Sequence, residues 1–573
     1  MYSKKRIIRR LCLLFFFLAL SGLYVSLPWH SGLIYVADDR SYHLERMEEA
    51  FLNFSNGNFF SMISTYSFAR IGQAIGVYYP WGNLLPYVII RFFIKNPISS
   101  YYIYIMLEQF LGLLLAYYFG MKIMKSRLRA TVFAIVLRFS SYMMFNDYGR
   151  ADIGEAWAFV FVPLTLVGLY IILQKKYIQG IIVLSMGLSA ELYCHILTTL
   201  FTVVVLIAIY VASLKEQNNK LKVLFSLALS GLLFVLITLP FTVPLLTFSG
   251  NTKVIAPTSV FFVTKSLDFG NLLSLSLNNT VGQGLPNIGL ILIVVALTGF
   301  LGLKNSSYWE TFSYIFGVIL LAFSTTLVPW YIFRNTPIAH IQFTWRLLPF
   351  ASLFLAFYAA SKIGKVVNKN TALALVLMTV FISLGSIENY MLSQNKHVVA
   401  STREGYINPY EYKLDLRSYK KSLTINQIRS QSTEYEDYLP ISFKNNKNEI
   451  IKHTITINKK NFLLHSDQLK SGYQSVTYKV THFLPNKKNI IVLPFIIYNR
   501  KNYKAYINNR STKLYISKKN LAEIRMNYQK RVKLTIRYRT PILYLFLRWI
   551  SLITILFSFL MYIREKNLNV KKV

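Results

Sequence analysis

The 573-residue sequence is poor in cysteine, in acidic residues and in charge of any kind. Only Cys12 and Cys194 occur, both inside apolar stretches, so no disulfide framework holds the chain together. A domain on the outer side of a membrane would have to fold on packing alone. Charged residues make up 15%, against roughly 25% in soluble domains, which excludes a chain of several soluble units. Also missing are a phosphate-cradling Gly-rich loop, a GxSxG turn and an HExxH helix. Nothing marks a cytosolic nucleotide site, which disfavours a nucleotide-sugar donor used on the inner face.

What is abundant is apolar surface. Hydrophobic residues reach 54%, aromatics 16%, and mean hydropathy is +0.39. They arrive in blocks long enough to cross about 30 Å of hydrocarbon. The pattern predicts about twelve transmembrane helices: 11–29, 99–120, 130–146, 156–173, 178–194, 196–213, 222–247, 286–303, 310–328, 344–361, 371–389 and 541–562. The basic start (Lys4, Lys5, Arg6, Arg9, Arg10) mimics a secretion signal, but no small-x-small site comes after the apolar run, so a retained first helix is expected. Placing that start inside puts Lys or Arg in every inner loop and few in the short outer ones, with both termini cytoplasmic. The richness in Lys, Asn, Ile and Tyr, with no disulfide framework, suggests a bacterium of low genomic GC content and hence its plasma membrane. The stretch 83–94 is too short to span and carries Arg91, which suits an interfacial helix.

Three regions result: a helical membrane domain over 1–389 with a large first outer loop at 30–98, a polar segment at 390–540, and a last helix with its tail at 541–573. The polar segment contains HTITI, SVTYKV, IIVLPFIIY and VKLTIRYR, which read as strands of an extracytoplasmic β-sandwich-like domain. It holds 29 Lys+Arg against 9 Asp+Glu, so about +20 of the net +39 lies where topology does not explain it. Such a surface suits anionic lipid, a cell-wall polymer of the teichoic-acid kind or a phosphorylated substrate. Solubility charge is the plain alternative. Nucleic acid is not a partner expected on that side.

Ionisable groups beside a bilayer are costly and mark candidate sites. The first cluster, Asp38, Asp39, His43, Glu45 and Arg46, lies just after the first helix. Adjacent carboxylates there could hold a divalent cation, or one could act as a general base. The alternative is a helix cap for 41–54. A second cluster, Asp147, Arg150, Asp152 and Glu155, sits at the outer end of the third and fourth helices and could face the first across a cleft; a turn held by an Asp–Arg pair is the structural alternative. The third is HIQFTWRLLPF (340–350), with Gln342, Arg346 and the preceding Arg334. Arginine suits phosphate oxygens through bidentate bonds, although a snorkelling side chain would look the same. His195, one turn after Glu191, reads equally as a core histidine.

In order and placement these pieces resemble the bacterial membrane family labelled pyruvoyl-tetrahydropterin-synthase-related and the larger YfhO-type proteins, both similar to the GT-C glycosyltransferase superfamily. The matching residues are Asp39, His43, Leu44 and Arg46, then YYPW at 78–81, then Y-x-R-x-D-x-GE across 148–155, CHILT around His195, QFTWRLL at 342–348 and LPFIIYNRKNYKAYINN in the β segment. The synthase label is not literal, because that soluble enzyme needs a three-His zinc site and the eight His here are scattered. The resemblance implies a GT-C-like fold, an outward-facing active site and a polyprenyl-phosphate-linked sugar as donor. By motif matching it puts Asp39, with Asp38 beside it, in the catalytic role and leaves open whether a metal binds there.

The reading is therefore a glycosyltransferase acting on a cell-envelope glycan, teichoic acid or lipid, with Asp39, Asp38 and His43 catalytic and Arg346, Arg150 and Arg334 on the donor phosphate. Glu45, Arg46, Asp147, Asp152, Glu155, His195 and Gln342 would support them. A non-catalytic scaffold for polysaccharide assembly is the alternative, and so is a lipid-linked oligosaccharide transporter, although no internal repeat of broken helices is visible. The topology is testable directly. In a background lacking Cys12 and Cys194, Ile450→Cys reacts with an impermeant maleimide on intact cells; reaction only after lysis inverts the topology.

Overall fold

The computed structural model describes residues 2–35, 37–255, 266–394, 398–401, 437–443, 453–481, 483 and 488–571. Parts of the expected outer loop (256–265) and of the polar segment (402–436 and 444–452) lie outside them, as does the labelling position at 450.

Twelve apolar helical stretches coincide with the expected set; among the described residues seven helices are, by length and composition, long and apolar enough to cross a membrane. These are Ile7–Ser31, Pro97–Met124, Ile153–Leu173, Ile196–Ser213, Lys220–Asn251, Lys369–Ser393 and Ile542–Asn567. Arg127–Arg138 and Ser141–Gly149 add an eighth if their 44° bend is one broken span. Length and composition alone mark fewer than the twelve expected, yet Asp152 at the start of Ile153–Leu173 and His195 just after Tyr177–Leu192 lie 3.9 Å apart, so the shorter Tyr177–Leu192 returns the chain to the level it left. Tyr177–Leu192 and Tyr308–Phe323 have 16 residues each, about 24 Å at 1.5 Å per residue, short of a full hydrocarbon core. Leu290–Thr298 runs into a tight 3₁₀ turn (Gly299–Asn305) instead of continuing. Helix Leu84–Phe93 is short, as its sequence suggests, and its Arg91 is buried against Glu48 at 3.5 Å.

The broken span replaces the continuous third helix expected at 130–146. After Arg138 the chain turns at Phe139 and Ser140, then resumes and widens to a π turn over Phe145–Gly149. Arg138 is fully buried and ion-paired with Glu108 of Pro97–Met124, and it also donates to Gln109 Oε1 at 2.9 Å. In a medium without water such a pair must be satisfied inside the protein, and it locks two helices together. The π turn, a feature common at functional sites, splits the side chains around it: Asp147 points inward to the Tyr24 hydroxyl at 2.7 Å, while Arg150 swings the other way.

The polar segment forms two five-stranded antiparallel sheets. One has the order β10 (Tyr515–Ile516), β11 (Leu521–Met526), β7 (Asn489–Ile496), β3 (Thr454–Ile457) and β4 (Lys460–Leu463). The other has β5 (Leu469–Gly472), β6 (Ser475–Val480), β12 (Val532–Tyr538), β8 (Tyr503–Ile507) and β9 (Arg510–Thr512). Alternation along β12 buries Val532, Leu534, Ile536 and Tyr538 and leaves Lys533 and Arg537 outside. A third pair, β1 (Leu33–Tyr35) with β2 (Val398–Ser401), ties the start of the first outer loop to the chain leaving Lys369–Ser393.

The first outer loop is ordered and wedged between membrane helices and sandwich. Glu49 holds it by accepting from the backbone N–H of Thr65, Tyr66 and Ser67 at 2.7–3.0 Å, and Glu45 accepts from Phe68 N–H at 2.6 Å. Those bonds offset the left-handed backbone of Phe68, Ala69 and Arg70. Ile71 O accepts from Ile496 N–H at 2.8 Å, extending the loop onto β7. At Gly72, where φ is +74°, a Cβ would come within 2.7 Å of the Phe495 ring. Gly72→Ala should therefore cost about 1–3 kcal/mol and lower Tm, whereas Gly231→Ala, in open space on a helix, should not. Equal Tm for the two variants in thermal scans of the detergent-purified protein would refute this docking.

Candidate functional site

Arg150 is the centre of the site. Its Nε lies 3.1 Å from Asp39 Oδ2, its Nη2 2.9 Å from Asp152 Oδ2 and its Nη1 2.8 Å from Glu155 Oε2. The three carboxylates come from the first outer loop and from the entry to helix Ile153–Leu173, so one guanidinium joins the first two clusters. Asp152 is the N-cap of that helix and accepts from Glu155 N–H at 3.1 Å. Asp39 occupies the N-cap position of Arg40–Ser55, yet its side chain caps nothing. It turns to Arg150 instead, and its backbone N–H donates to Arg150 O at 2.8 Å. The carboxylate still stands at the start of the helix, where the helix dipole favours an acid, but it makes no cap hydrogen bond.

The third cluster arrives from the opposite wall. Arg346 stands on a 3₁₀ turn (Thr344–Leu347) before helix Leu348–Ser361, not inside the helix as the sequence suggests. Its Nη1 donates to Ile341 O at 2.8 Å and to Gln342 Oε1 at 3.0 Å, and Nε lies 3.5 Å from Glu155 Oε2 without making a hydrogen bond. Gln342 adopts φ +63° to turn the chain here. Phe343 and Trp345 stack at 4.5 Å and form an aromatic shelf, with Arg150 4.9 Å from the Trp345 ring and Arg346 5.2 Å from the Phe343 ring.

Two histidines back this arrangement. His43 Nε2 lies 3.5 Å from Asp152 Oδ1 and its Nδ1 3.1 Å from Arg46, so the imidazole is enclosed behind Asp152 rather than open to the cleft. His195 Nε2 lies 3.9 Å from Asp152 Oδ2, while Nδ1 accepts from Thr198 N–H at the head of Ile196–Ser213. Burial lowers the pKa of both, that of His195 to about 4, and both are neutral at pH 7. Asp152 behaves oppositely: burial works to raise it, but Arg150, His195 and His43 together hold it well below the usual carboxylate range. Asp39 is raised, by burial first, against the pull of Arg150; its side chain is nevertheless 41% exposed, against 4% for Asp152 and 3% for Glu155. Asp39 is thus the carboxylate of this group that meets solvent.

Other sequence candidates sit elsewhere. Asp38 is exposed and accepts from Gly284 N–H at 3.2 Å, Glu45 is spent on the 65–68 loop with burial pushing it up to about 8, and Asp147 faces Tyr24. Arg334 is exposed at the end of turn Trp330–Phe333 and is not part of this ion-pair group. Several neighbours were not singled out. Tyr79 donates to Asp152 Oδ1 at 3.0 Å and lies under Arg46 at 4.0 Å; Tyr142 donates to Glu155 Oε1 at 2.7 Å. Asp437, pushed up to about 6 by burial and by Asp39, brings a carboxylate from the β segment. Tyr79 carried a sequence signal in YYPW; Asp437, far along the chain, carried none.

Asp38 and Asp39 diverge and do not form the cation site their adjacency suggests. The set that does converge is Asp152, Glu155 and His195, whose ligand atoms lie within 4.8 Å of one another. Arg150 already pairs with both carboxylates and Nδ1 of His195 is taken by Thr198, so a divalent ion there would have to displace a guanidinium. The residues present fit a charge-balanced ion-pair group better than a metal centre.

The buried imidazole makes stability depend on pH. With His195 at about 4 and the unfolded value near 6.5, the unfolded chain takes up a proton that the folded one refuses, so Tm should fall as pH drops through that window. His195→Asn, which keeps an N-cap, should remove about 2–4 kcal/mol of that fall. Identical Tm-versus-pH curves for the two proteins would show that His195 is not held neutral.

Known proteins place this geometry in context. Curated protein sequences contain no match. Among solved structures the chain is similar to the arabinofuranosyltransferase AftD from Mycobacteria, solved by single-particle cryo-EM, with a TM-score of 0.41 and 13% identity over 64% of this chain. The chain spans about a quarter (26%) of that structure's length. A family model described as a 6-pyruvoyl-tetrahydropterin synthase related domain of membrane proteins matches residues 77–393, a stretch that includes Arg150, Asp152, Glu155, His195 and Arg346. With more than half of its length inside that match, the chain belongs to the 6-pyruvoyl-tetrahydropterin synthase related family of membrane proteins.

Proposed function

We propose that the ion-pair group around Arg150 forms the active site of a membrane glycosyltransferase. The donor would be a polyprenyl-phosphate-linked sugar, and the acceptor a hydroxyl of a cell-envelope glycan, teichoic acid or lipid on the outer face of the plasma membrane, both termini being cytoplasmic. The observation that carries this reading is a solvent-reaching carboxylate, Asp39, 3.1 Å from the buried guanidinium of Arg150, with a second buried guanidinium, Arg346, joined to the same group through Glu155 and holding an Nε with no hydrogen-bond partner. A proton acceptor and anion donors then belong to one ion-pair group, as displacement of a phosphate by an alcohol requires.

In the reaction the acceptor hydroxyl gives its proton to Asp39 as its oxygen attacks the anomeric carbon. The bond from that carbon to the phosphate oxygen breaks, and the polyprenyl phosphate leaves with its charge facing Arg346 and Arg150. Asp152 and Glu155 keep Arg150 in place, His43 and His195 keep Asp152 in place, and the Phe343–Trp345 shelf limits water around the guanidiniums. A metal is not needed for charge balance in this scheme.

A second reading, a non-catalytic scaffold, is favoured by one fact: the buried acids of the site are paired with Arg150, as in a purely structural network. The two readings part on Asp39. Asp39→Asn should leave the protein folded and cost about 10²–10⁴ in transfer rate, while Arg346→Lys should weaken donor binding by losing bidentate geometry. The measurement is envelope glycan composition in a deletion strain complemented by each variant, with membrane protein level as control. Wild-type glycans from both Asp39→Asn and the Asp38→Asn/Asp39→Asn double variant would establish the scaffold.

A further inference from the structure

The β5-β6-β12-β8-β9 sheet has an outer face whose charges conflict in the protein alone. Lys533 of β12 lies directly opposite Lys479 of β6, and Arg537 of β12 directly opposite Lys504 of β8. Like charges in directly opposed positions destabilise a sheet, and here two such pairs occur on one face. All four side chains are exposed, and the described residues of these five strands include no acid. Between the two cation rows runs a hydroxyl row: Thr477, Thr535 and Tyr506 are cross-strand neighbours, flanked by Lys470 and Ser511. Thr477 and Thr535 hydrogen-bond each other at 2.8 Å, and Arg539 donates to the Tyr506 hydroxyl at 2.9 Å.

We propose that this sheet face is a docking surface for a polyanionic envelope glycan polymer, an extended chain of sugars or polyols bearing phosphates or carboxylates. The cation rows would take the anions and the hydroxyl row with the Tyr506 ring the intervening polyol. A lipid surface fits less well. β12 runs into the membrane helix beginning at Ile542, so the Arg537 row is nearer the bilayer and the Lys533 row stands four residues, about 13 Å, further along the strand. A linear polyanion lying along the strand direction reaches both rows with successive anions of one chain. The proposal does not depend on the transfer chemistry and stands or falls apart from the Asp39 experiment.

The test uses the full-length protein in phosphatidylcholine nanodiscs, with poly(glycerol phosphate), hyaluronate and neutral dextran as probes. Both polyanions should bind and dextran should not, and added NaCl should weaken binding. The Lys479→Gln/Lys504→Gln/Lys533→Gln/Arg537→Gln variant should lose roughly tenfold or more in affinity. Its Tm should be equal or higher, because the opposed like charges are gone, so lost binding is not lost folding. Unchanged polyanion binding by the variant would overturn the proposal. So would equal binding of dextran, or phosphatidylglycerol vesicles displacing the polymer in a way that depends on these four residues.

Discussion

The site depends on one guanidinium. Arg150 touches Asp39, Asp152 and Glu155 at 2.8–3.1 Å, and it is nearly fully enclosed. Leaving out Asp152 or Glu155, its two enclosed partners, would strand charge in a low-dielectric setting, a situation that costs several kcal/mol. The first outer loop, the entry to helix Ile153–Leu173 and, through Glu155, the turn before helix Leu348–Ser361 are therefore held in one arrangement. Positioning by ion pairs has a consequence for chemistry. Asp39 alone reaches solvent, while the more enclosed acids orient cations.

The same constraint acts deeper. Glu108 and Arg138 are buried together between Pro97–Met124 and the first half of the broken span, and Asp147 finds Tyr24 just above them. The break after Arg138 and the π turn at Phe145–Gly149 let successive ionisable residues of one chain segment face opposite directions. Asp147 goes to the helix core and Arg150 to the ion-pair group with Asp39, Asp152 and Glu155. Without the extra residue in that turn the two would be about one helical turn apart on the same face.

The β domain meets the helical domain through the 30–98 loop. Glu45 and Glu49 fold that loop by accepting backbone N–H groups, Gly72 admits the Phe495 ring, and Tyr78 stacks on Tyr438 at 5.2 Å. Asp437 comes with Tyr438 from the β segment and is raised by burial and in part by Asp39.

How far the sequence reached can be traced residue by residue. Apolar blocks placed the helices within a few residues, since each must cover its own backbone in hydrocarbon, and alternation identified strands such as β6 and β12. Hydropathy did not reveal that Tyr177–Leu192 and Tyr308–Phe323 are shorter than the other apolar helices. The cluster residues were visible as costly charges at helix ends, and their number required partners. Which partner each took was not visible: Asp38 and Asp39 are adjacent in sequence yet diverge, while Asp39 and Arg150, more than a hundred positions apart, meet. Residue type and spacing determine what must be buried, spanned or paired. Only the packed tertiary structure decides the pairing, because ion pairs are set by where helix ends, turns and the broken span bring side chains together.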